Sequence, residues 1–340
     1  MDTTNKPIKI AIVTDAWFPH VSGVATTIRA TKHELEKMGH TVLVIGPSDF
    51  KFKVPLPGYA EIKLALFADR ALAKKLDAFQ PDAIHISVEG PLGIAARAYC
   101  IKHGKRFSTT YHTRFPEYVH VRTGIPTSWV YRYVRWFHNK AVHTMVASET
   151  LKKELEEHGL KNLALWHRGV DSELFTPDDP LPLEGEHPIF MYMGRVAVEK
   201  NLDVFLKLDL PGTKYIVGDG PYRAKLQSKY PHVRFTGYKF GRELARHVAA
   251  ADVFVFPSLT DTLGVVMLEA NACGTPVAAL HSQASNTVIQ NGVNGVVSHD
   301  LKEACLEALK LPREKARQFA LTMGWKEPTE LFFKNLAVTR

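Results

Sequence analysis

At 340 residues, 45% of them hydrophobic and 23% charged, the chain is long enough for two domains with full cores and has an ordinary globular composition. Its three cysteines (Cys100, Cys273, Cys305) are too few and too scattered for a disulfide framework or a zinc site. No apolar run reaches the roughly 18 residues of a membrane span, and 8–13 is strand-length rather than a signal peptide, so a cytoplasmic location is expected. The net charge of +8 is unevenly placed. Residues 1–170 hold 24 Lys and Arg against 15 Asp and Glu, the remainder 19 against 20, and 97–140 has nine bases beside one acid, Glu117. Such a stretch is either a solvated basic face or a surface that meets an anionic partner.

Strand and helix patterns alternate from the start. Residues 8–14 read as a strand, 25–38 as a helix ended by Gly39, and 41–45 as a second strand. A helix over 71–79, a strand over 82–88, a helix over 92–103 ended by Gly104 and a strand over 107–111 follow. Then come an aromatic helix at 128–141, a strand over 142–147, a helix over 149–158 and a strand over 163–166. This alternation implies a parallel sheet covered on both faces. Residues 173–188 carry four prolines and five acids, which discourages helix and strand alike and marks a linker. Strand patterns resume at 189–193, 214–217, 233–235, 253–256, 277–280 and 295–297, and 313–335 reads as helix broken near Gly324 and Pro328.

The predicted architecture is α/β, with two Rossmann-like doubly wound parallel-sheet domains facing each other across a cleft. Residues 1–172 form the first domain, 189–312 the second, and the helical tail 313–340 is expected to return to the first. Ligands of such folds sit outside the carboxyl ends of the strands. The loops of interest are therefore those after strands, among them 17–23, 112–118, 194–200 and 259–264.

The most informative of these runs from the strand at 253–256 through Pro257-Ser258 into a helix that ends near Cys273-Gly274, with Pro276 beyond. Asp261-Thr262 is read as the cap, and Leu263-Gly264-Val265 as the first turn. Asp261 and Glu269 lie roughly 8–12 Å apart along such an axis, too far to share one proton and suited to two ends of an elongated ligand. The amides between them attract an anion. Arg195, after Gly194, and Lys200, in Glu199-Lys200-Asn201, also follow a strand. They are either surface residues or phosphate ligands, and bases at a helix start oppose the helix dipole without such a reason.

Three features of the first half are more open. His112 ends a strand in TYHTRFPEY and is an acid, a base, a ligand for a sugar hydroxyl, or a buried hydrogen-bonded histidine. Gly23, in Ser22-Gly23-Val24 downstream of Asp15, is either a turn glycine or a point where backbone approaches a phosphate. On a helical wheel Trp129, Val130, Tyr133, Val134, Trp136, Phe137 and Ala141 share one arc, and Tyr131, Arg132, Arg135, His138 and Asn139 the other. Aromatics beside bases suit a membrane interface; the alternative is a helix packed on its own sheet. There is no Asp-x-Asp for a metal bridging a diphosphate, no complete G-x-G-x-x-G after the first strand, no Walker loop and no G-x-S-x-G.

In order and spacing these elements resemble the retaining family 4 glycosyltransferases of GT-B fold. The resemblance spans Ser22-Gly23-Val24, His112, Arg168-Gly169-Val170-Asp171 with Phe175, Gly194-Arg195, Glu199-Lys200-Asn201, 217–221, Phe235-Thr236-Gly237 and the 254–277 stretch. TYHTRFPEY is similar to the branch of sulfoquinovosyl- and glucosyl-diacylglycerol synthases. The resemblance implies a nucleotide-sugar donor as substrate, no cofactor and no metal. It implies that Arg195 and Lys200 bind the diphosphate, Glu269 the ribose, and Asp261 with Thr262, Leu263 and Gly264 the sugar and distal phosphate. Gly23 would approach a phosphate, Tyr238 would lie by the base, and His112 would contact the sugar near the reacting carbon.

A front-face displacement with retention is the implied route. A membrane lipid is the implied acceptor, met by Trp129, Arg132, Tyr133, Arg135, Trp136 and Phe137 on an enzyme peripheral to the inner face of the membrane. Three positions depart from the family pattern: Asp261 stands for Glu, Leu263 for Phe and Thr287 for Glu. A soluble acceptor is the alternative. A nucleic-acid-binding protein lacks any reader motif, and a nicotinamide oxidoreductase lacks its fingerprint.

Overall fold

Short apolar strands, buried over most of their length, build two separate parallel sheets in the computed structural model, which describes residues 6–18, 22–56 and 59–338, with no side-chain description at 59–61. The chain divides into two units, one of residues 1–168 with 325–340 and one of residues 169–324.

The first unit contains β1 (Lys9–Val13), α1 (Gly23–Lys37), β2 (Thr41–Ile45), β3 (Lys53–Leu56), β4 (Tyr59–Ala65), α2 (Asp69–Phe79), β5 (Ala83–Ile86) and α3 (Pro91–Lys102). β6 (Ser108–Thr110), α4 (Phe115–Thr123), α5 (Thr127–His138), β7 (Thr144–Val146), α6 (Glu149–Glu157) and β8 (Leu163–Leu165) follow. Six strands pair in the order β2-β1-β5-β6-β7-β8, all parallel. The order reverses between β1 and β5, which makes the loops after these two strands the place for a ligand. Ser22 caps α1 by accepting from the Ala25 amide at 3.2 Å.

Two elements escape the sequence pattern. β3 and β4 form a small antiparallel hairpin where Pro55 and Pro57 signal loop. α4 begins at the proline-containing Phe115-Pro116, which is tolerated in a first turn, and ends at Gly124 with φ 73°.

The second unit contains β9 (Ile189–Met193), α7 (Leu202–Leu206), β10 (Thr213–Val217), α8 (Arg223–Lys229), β11 (Arg234–Gly237), α9 (Gly241–Ala249) and β12 (Val253–Phe256). α10 (Val265–Ala272), β13 (Val277–Leu280), α11 (Gln283–Val288), β14 (Gly295–Ser298), α12 (Leu301–Ala308) and α13 (Arg313–Leu321) complete it. The parallel order β11-β10-β9-β12-β13-β14 is the Rossmann order, with its switch point between β9 and β12. Both central strands, IFMYM and VFVF, are buried throughout, as strands covered on both faces must be.

The tail is shared between the units. α13 packs against α10 in the second, and α14 (Lys326–Lys334) belongs to the first. There Phe332 is fully buried against His85 and Trp166, and Phe333 stacks on His40 with ring centres 4.3 Å apart. Gly324 lies in the break, whereas Pro328 sits inside the first turn of α14 and does not interrupt it. Among the described residues no helix is long and apolar enough to cross a membrane.

Candidate active site

The switch point of the second sheet brings together two loops that the sequence singles out separately. Lys200, after β9, ion-pairs with Asp261, after β12, at 2.5 Å between Nζ and Oδ1, and each side chain is less than one-fifth exposed. The loops are also tied by Asn201 donating to the Pro257 carbonyl at 3.1 Å and by Thr260 donating to the Glu199 carbonyl at 3.3 Å. Arg195, half-buried, has its carbonyl held by the Tyr192 hydroxyl at 2.9 Å. The second oxygen of Asp261, Oδ2, is buried and meets no hydrogen-bond partner among the described residues. A buried carboxylate oxygen without a donor is costly, so it marks where a ligand hydroxyl would be welcome.

Asp261 and Thr262 do not cap the following helix. α10 starts at Val265 after Gly264, which has φ 75° and no side chain to cap with. A Cβ at Gly264 would lie 2.8 Å from the Phe256 ring and 2.9 Å from Met267, so β12 packs too closely behind this turn for any other residue. Asp261 turns to Lys200, and Gly264 at the helix start has no side chain with which to cap the amides of α10. Leu263 is buried, and Glu269 is a buried acid one turn into α10. Tyr238, after β11, is partly exposed and stacks on Phe240 with ring centres 6.0 Å apart. Among the described residues no group of three His, Cys, Asp or Glu side chains is placed to hold a metal ion.

In the first unit, the carboxylate of Asp15, after β1, accepts from the amides of Leu92 and Gly93 at 3.1 and 3.3 Å, at the start of α3. Burial pushes its pKa up to about 7 against the pull of those amides, and nearby Glu89 raises it further. A Cβ at Gly90 would come 2.4 Å from this carboxylate, so the loop after β5 passes too close for a side chain. Gly23 is the first residue of α1, and a Cβ there would meet nothing within 4 Å. Residues 19–21 of the preceding loop lie outside the described residues.

His112 follows β6 and stands in a cluster of polar groups from distant segments. Arg168, after β8, donates Nη2 to its Nδ1 at 3.4 Å. His85 of β5 bonds Ser108 and Thr110 at 3.0 and 2.9 Å, and His138 of α5 bridges Thr109 and Glu89 at 2.9 and 2.8 Å. Burial, then Arg168, then His85 and His138 hold the His112 imidazole well below its usual range. Sequence reading found His112 but gave Arg168 no role. Its only signal was its place in Arg168-Gly169-Val170-Asp171.

The aromatic helix is turned differently from the wheel. Val130, Tyr131, Val134, Phe137 and His138 of α5 are buried. Tyr131 and His138 thus lie inside, because Glu117 and Glu89 supply their partners at 2.8 Å each. Phe137 is fully buried in the core between α5 and α3 and cannot meet a membrane. Tyr133 is half-buried and donates to the Glu89 carbonyl, and Arg135 donates to the His158 carbonyl at 2.9 Å. Outside remain Trp129, 72% exposed, Trp136, 49% exposed, and Arg132. Arg97 lies over the Trp136 ring at 4.0 Å and bonds the carbonyls of Trp136 and Phe137, which keeps that indole at the surface.

Comparison with known proteins identifies the family. The profile described as Glycosyltransferase Family 4 matches residues 21–174, and that of Glycosyl transferases group 1 matches residues 187–311. The sulfoquinovosyl transferase SQD2 of Arabidopsis thaliana is 30% identical, covering 100% of this chain and 73% of its own length. An alpha-monoglucosyldiacylglycerol synthase of Streptococcus pneumoniae is 30% identical over 89% of this chain and 78% of its own. The sucrose-phosphate synthase of Thermosynechococcus elongatus shares the fold, with a TM-score of 0.78 at 17% identity over 96% of this chain and 98% of that one. The chain belongs to the family 4 glycosyltransferases: it is a nucleotide-sugar-dependent hexosyltransferase built from two parallel-sheet Rossmann-like domains of GT-B type.

Proposed function

We propose that this enzyme transfers a hexose from a UDP- or GDP-linked donor, with retention and without a metal, to a lipid acceptor at an anionic membrane surface. The observation that carries the donor assignment is Asp261. One of its oxygens is on Lys200 and the other is buried without a partner among the described residues, beside the start of α10. In this reading Lys200 and Arg195 neutralise the diphosphate, and the amides of Thr262, Leu263 and Gly264 receive the distal phosphate. Asp261 binds a sugar hydroxyl, Glu269 the ribose, and Tyr238 flanks the base. Gly23 offers backbone to a phosphate, and His112 meets the transferred sugar.

The bond from the anomeric carbon to the phosphate oxygen breaks, and the acceptor oxygen bonds to that carbon from the same face. The acceptor's proton passes to the departing phosphate oxygen. Catalysis then rests on fixed charge around the leaving group and on positioning. The lipid acceptor is supported by the diacylglycerol named for the streptococcal relative and by the exposed Trp129, Arg132 and Trp136.

The test is a panel of UDP- and GDP-sugars assayed with EDTA present, with diacylglycerol in anionic vesicles or soluble sugars as acceptors. Transfer to lipid that EDTA leaves unchanged, and that Glu269→Ala abolishes, is the expected result. Strict dependence on an added divalent ion would overturn the metal-free route, and transfer to soluble sugars alone would overturn the lipid acceptor.

A further inference from the structure

A histidine poised as a general base normally leans on a carboxylate; His112 leans on a guanidinium. Its Nδ1 is 3.4 Å from Nη2 of Arg168. That guanidinium lies 4.0 Å from the Trp166 ring centre, and its Nη1 donates to the carbonyls of Trp166 and His167. Trp166 is itself fully buried and meets the His112 ring edge-on at 5.8 Å, so indole, guanidinium and imidazole form one packed group. Phe332 of α14 packs on the same tryptophan, at 4.6 Å between ring centres.

An arginine has donors and no acceptor, so in this contact Nδ1 of His112 must supply the lone pair. A neutral imidazole with a lone pair at Nδ1 carries its proton on Nε2. A second proton, on Nδ1, would place N–H against N–H and a cation beside a cation that is itself almost fully buried. The other titratable groups facing His112 do not relieve this. His85 of β5 is kept neutral to about pH 3 by burial and by Arg168, and His138 of α5 spends Nε2 on Glu89. The direction of the His112 shift, well below the imidazole range, agrees with the geometry.

We propose that Arg168 is a positioning residue that fixes His112 as a neutral hydrogen-bond donor, with the proton on Nε2, so that His112 offers an N–H to a hydroxyl of the transferred sugar and does not accept a proton during transfer. The sugar in this statement rests on the functional reading above; the tautomer and charge do not.

The two are separated by first examining donor-free protein carrying 15N-histidine. The His112 ring should show its proton on Nε2 and no titration between about pH 5.5 and 8.5. A proton on Nδ1, or titration near the ordinary value of about 6.5, overturns the proposal. Arg168→Gln keeps an amide to face Nδ1 but removes the charge. In it the His112 pKa should rise, while burial, the larger cause, still keeps it below about 6.5, and kcat should acquire an acid limb, falling about tenfold per pH unit below the new value. An unchanged titration and pH profile in a folded Arg168→Gln protein overturn the role of Arg168; if that variant does not fold, the wild-type spectra still decide the tautomer.

His112→Gln, which keeps a neutral N–H near the Nε2 position, should retain at least about ten times the kcat of His112→Ala. Equal loss in both overturns the donor role. An Nε2–H ring in a protein that transfers no sugar from any nucleotide donor would instead overturn the functional reading and leave the tautomer standing.

Discussion

The two units treat charge in opposite ways. At the switch point of the second sheet, Lys200 and Asp261 face each other as ions at a partly exposed position, and Asp261 still holds an oxygen free of protein donors among the described residues. In the first unit burial works against charge: His85 and His112 are held neutral, Asp15 is pushed up to about 7, and the Arg168 guanidinium is brought down to about 9. The difference follows from position. Lys200 and Asp261 lie on loop ends that reach solvent, whereas Asp15, His85 and Arg168 are sealed among the ends of the strands. In the proposed reaction one region would fix the diphosphate and stabilise its departure, and the other would orient hydroxyls without competing for protons.

The largest expected effect tests the charged half. Lys200→Ala removes the partner of Asp261 and, in the proposed role, the cation nearest the leaving phosphate. We expect kcat/KM to fall about 100- to 1000-fold, the range for losing one stabilising donor of a transition state. Stability should fall as well, because the Asp261 carboxylate, less than one-fifth exposed, loses its Lys200 donor, so the comparison is made on protein shown to be folded. A loss of less than about tenfold at saturating acceptor would break the assignment of the charged site, while the neutral site of the first unit would be untouched.

How far each half was legible follows the same division. Lys200 and Asp261 each sit a few residues beyond a strand of obvious apolar character, so strand ends alone pointed to them. The alternation of strands and helices likewise carried both sheets. In the neutral half His112 was legible as a strand-end residue, but its partners were not, because they come from β5, α5 and the segment after β8, and no local pattern links them. His138 fell on the polar side of a single-helix wheel, yet its partners Thr109 and Glu89 lie 29 and 49 residues away and draw it inside. Trp136 fell on the apolar side, yet Arg97 is built to hold it at the surface. The hairpin of β3 and β4 and the helix α4 were masked by Pro55 and Pro116, whose tolerated places in a hairpin and a first turn depend on the pairing around them.

Asp15 gives a sharper test of the neutral half, at somewhat smaller cost. Its folded pKa, about 7, lies above the unfolded value of about 3.9. Between these values the folded state binds more protons than the unfolded chain, so stability is fullest at low pH and is lost as pH rises through 7. From pH 5 to pH 8 the loss from this group amounts to about 2–3 kcal/mol. Asp15→Asn does not titrate. Whatever constant offset the amide introduces, the variant should gain about 5–10 °C in Tm relative to wild type across that window. A constant gap between the two Tm curves would mean that Asp15 is ionised in the fold, and the contrast between the units would lose one of its main supports.

The smallest effect concerns the outer face of α5, where the structure separates residues that the wheel had grouped. Arg132 and Trp129 are exposed, whereas Phe137 is in the core and Arg135 is engaged with the His158 carbonyl. If this face meets anionic lipid, Arg132→Glu removes one favourable charge and adds an unfavourable one. At about 1 kcal/mol per charge, vesicle binding should weaken roughly 10- to 30-fold at low salt, and the difference should shrink as salt is raised. Trp129→Ala should weaken binding by a few-fold with little salt dependence, since an indole at the interface acts through its apolar body and not through charge. Hydrolysis of a soluble nucleotide sugar should be unchanged in both variants, because neither side chain belongs to the charged site of the second unit. Equal vesicle binding by wild type and Arg132→Glu at low salt would remove this face from membrane contact, and with it the structural support for a lipid acceptor.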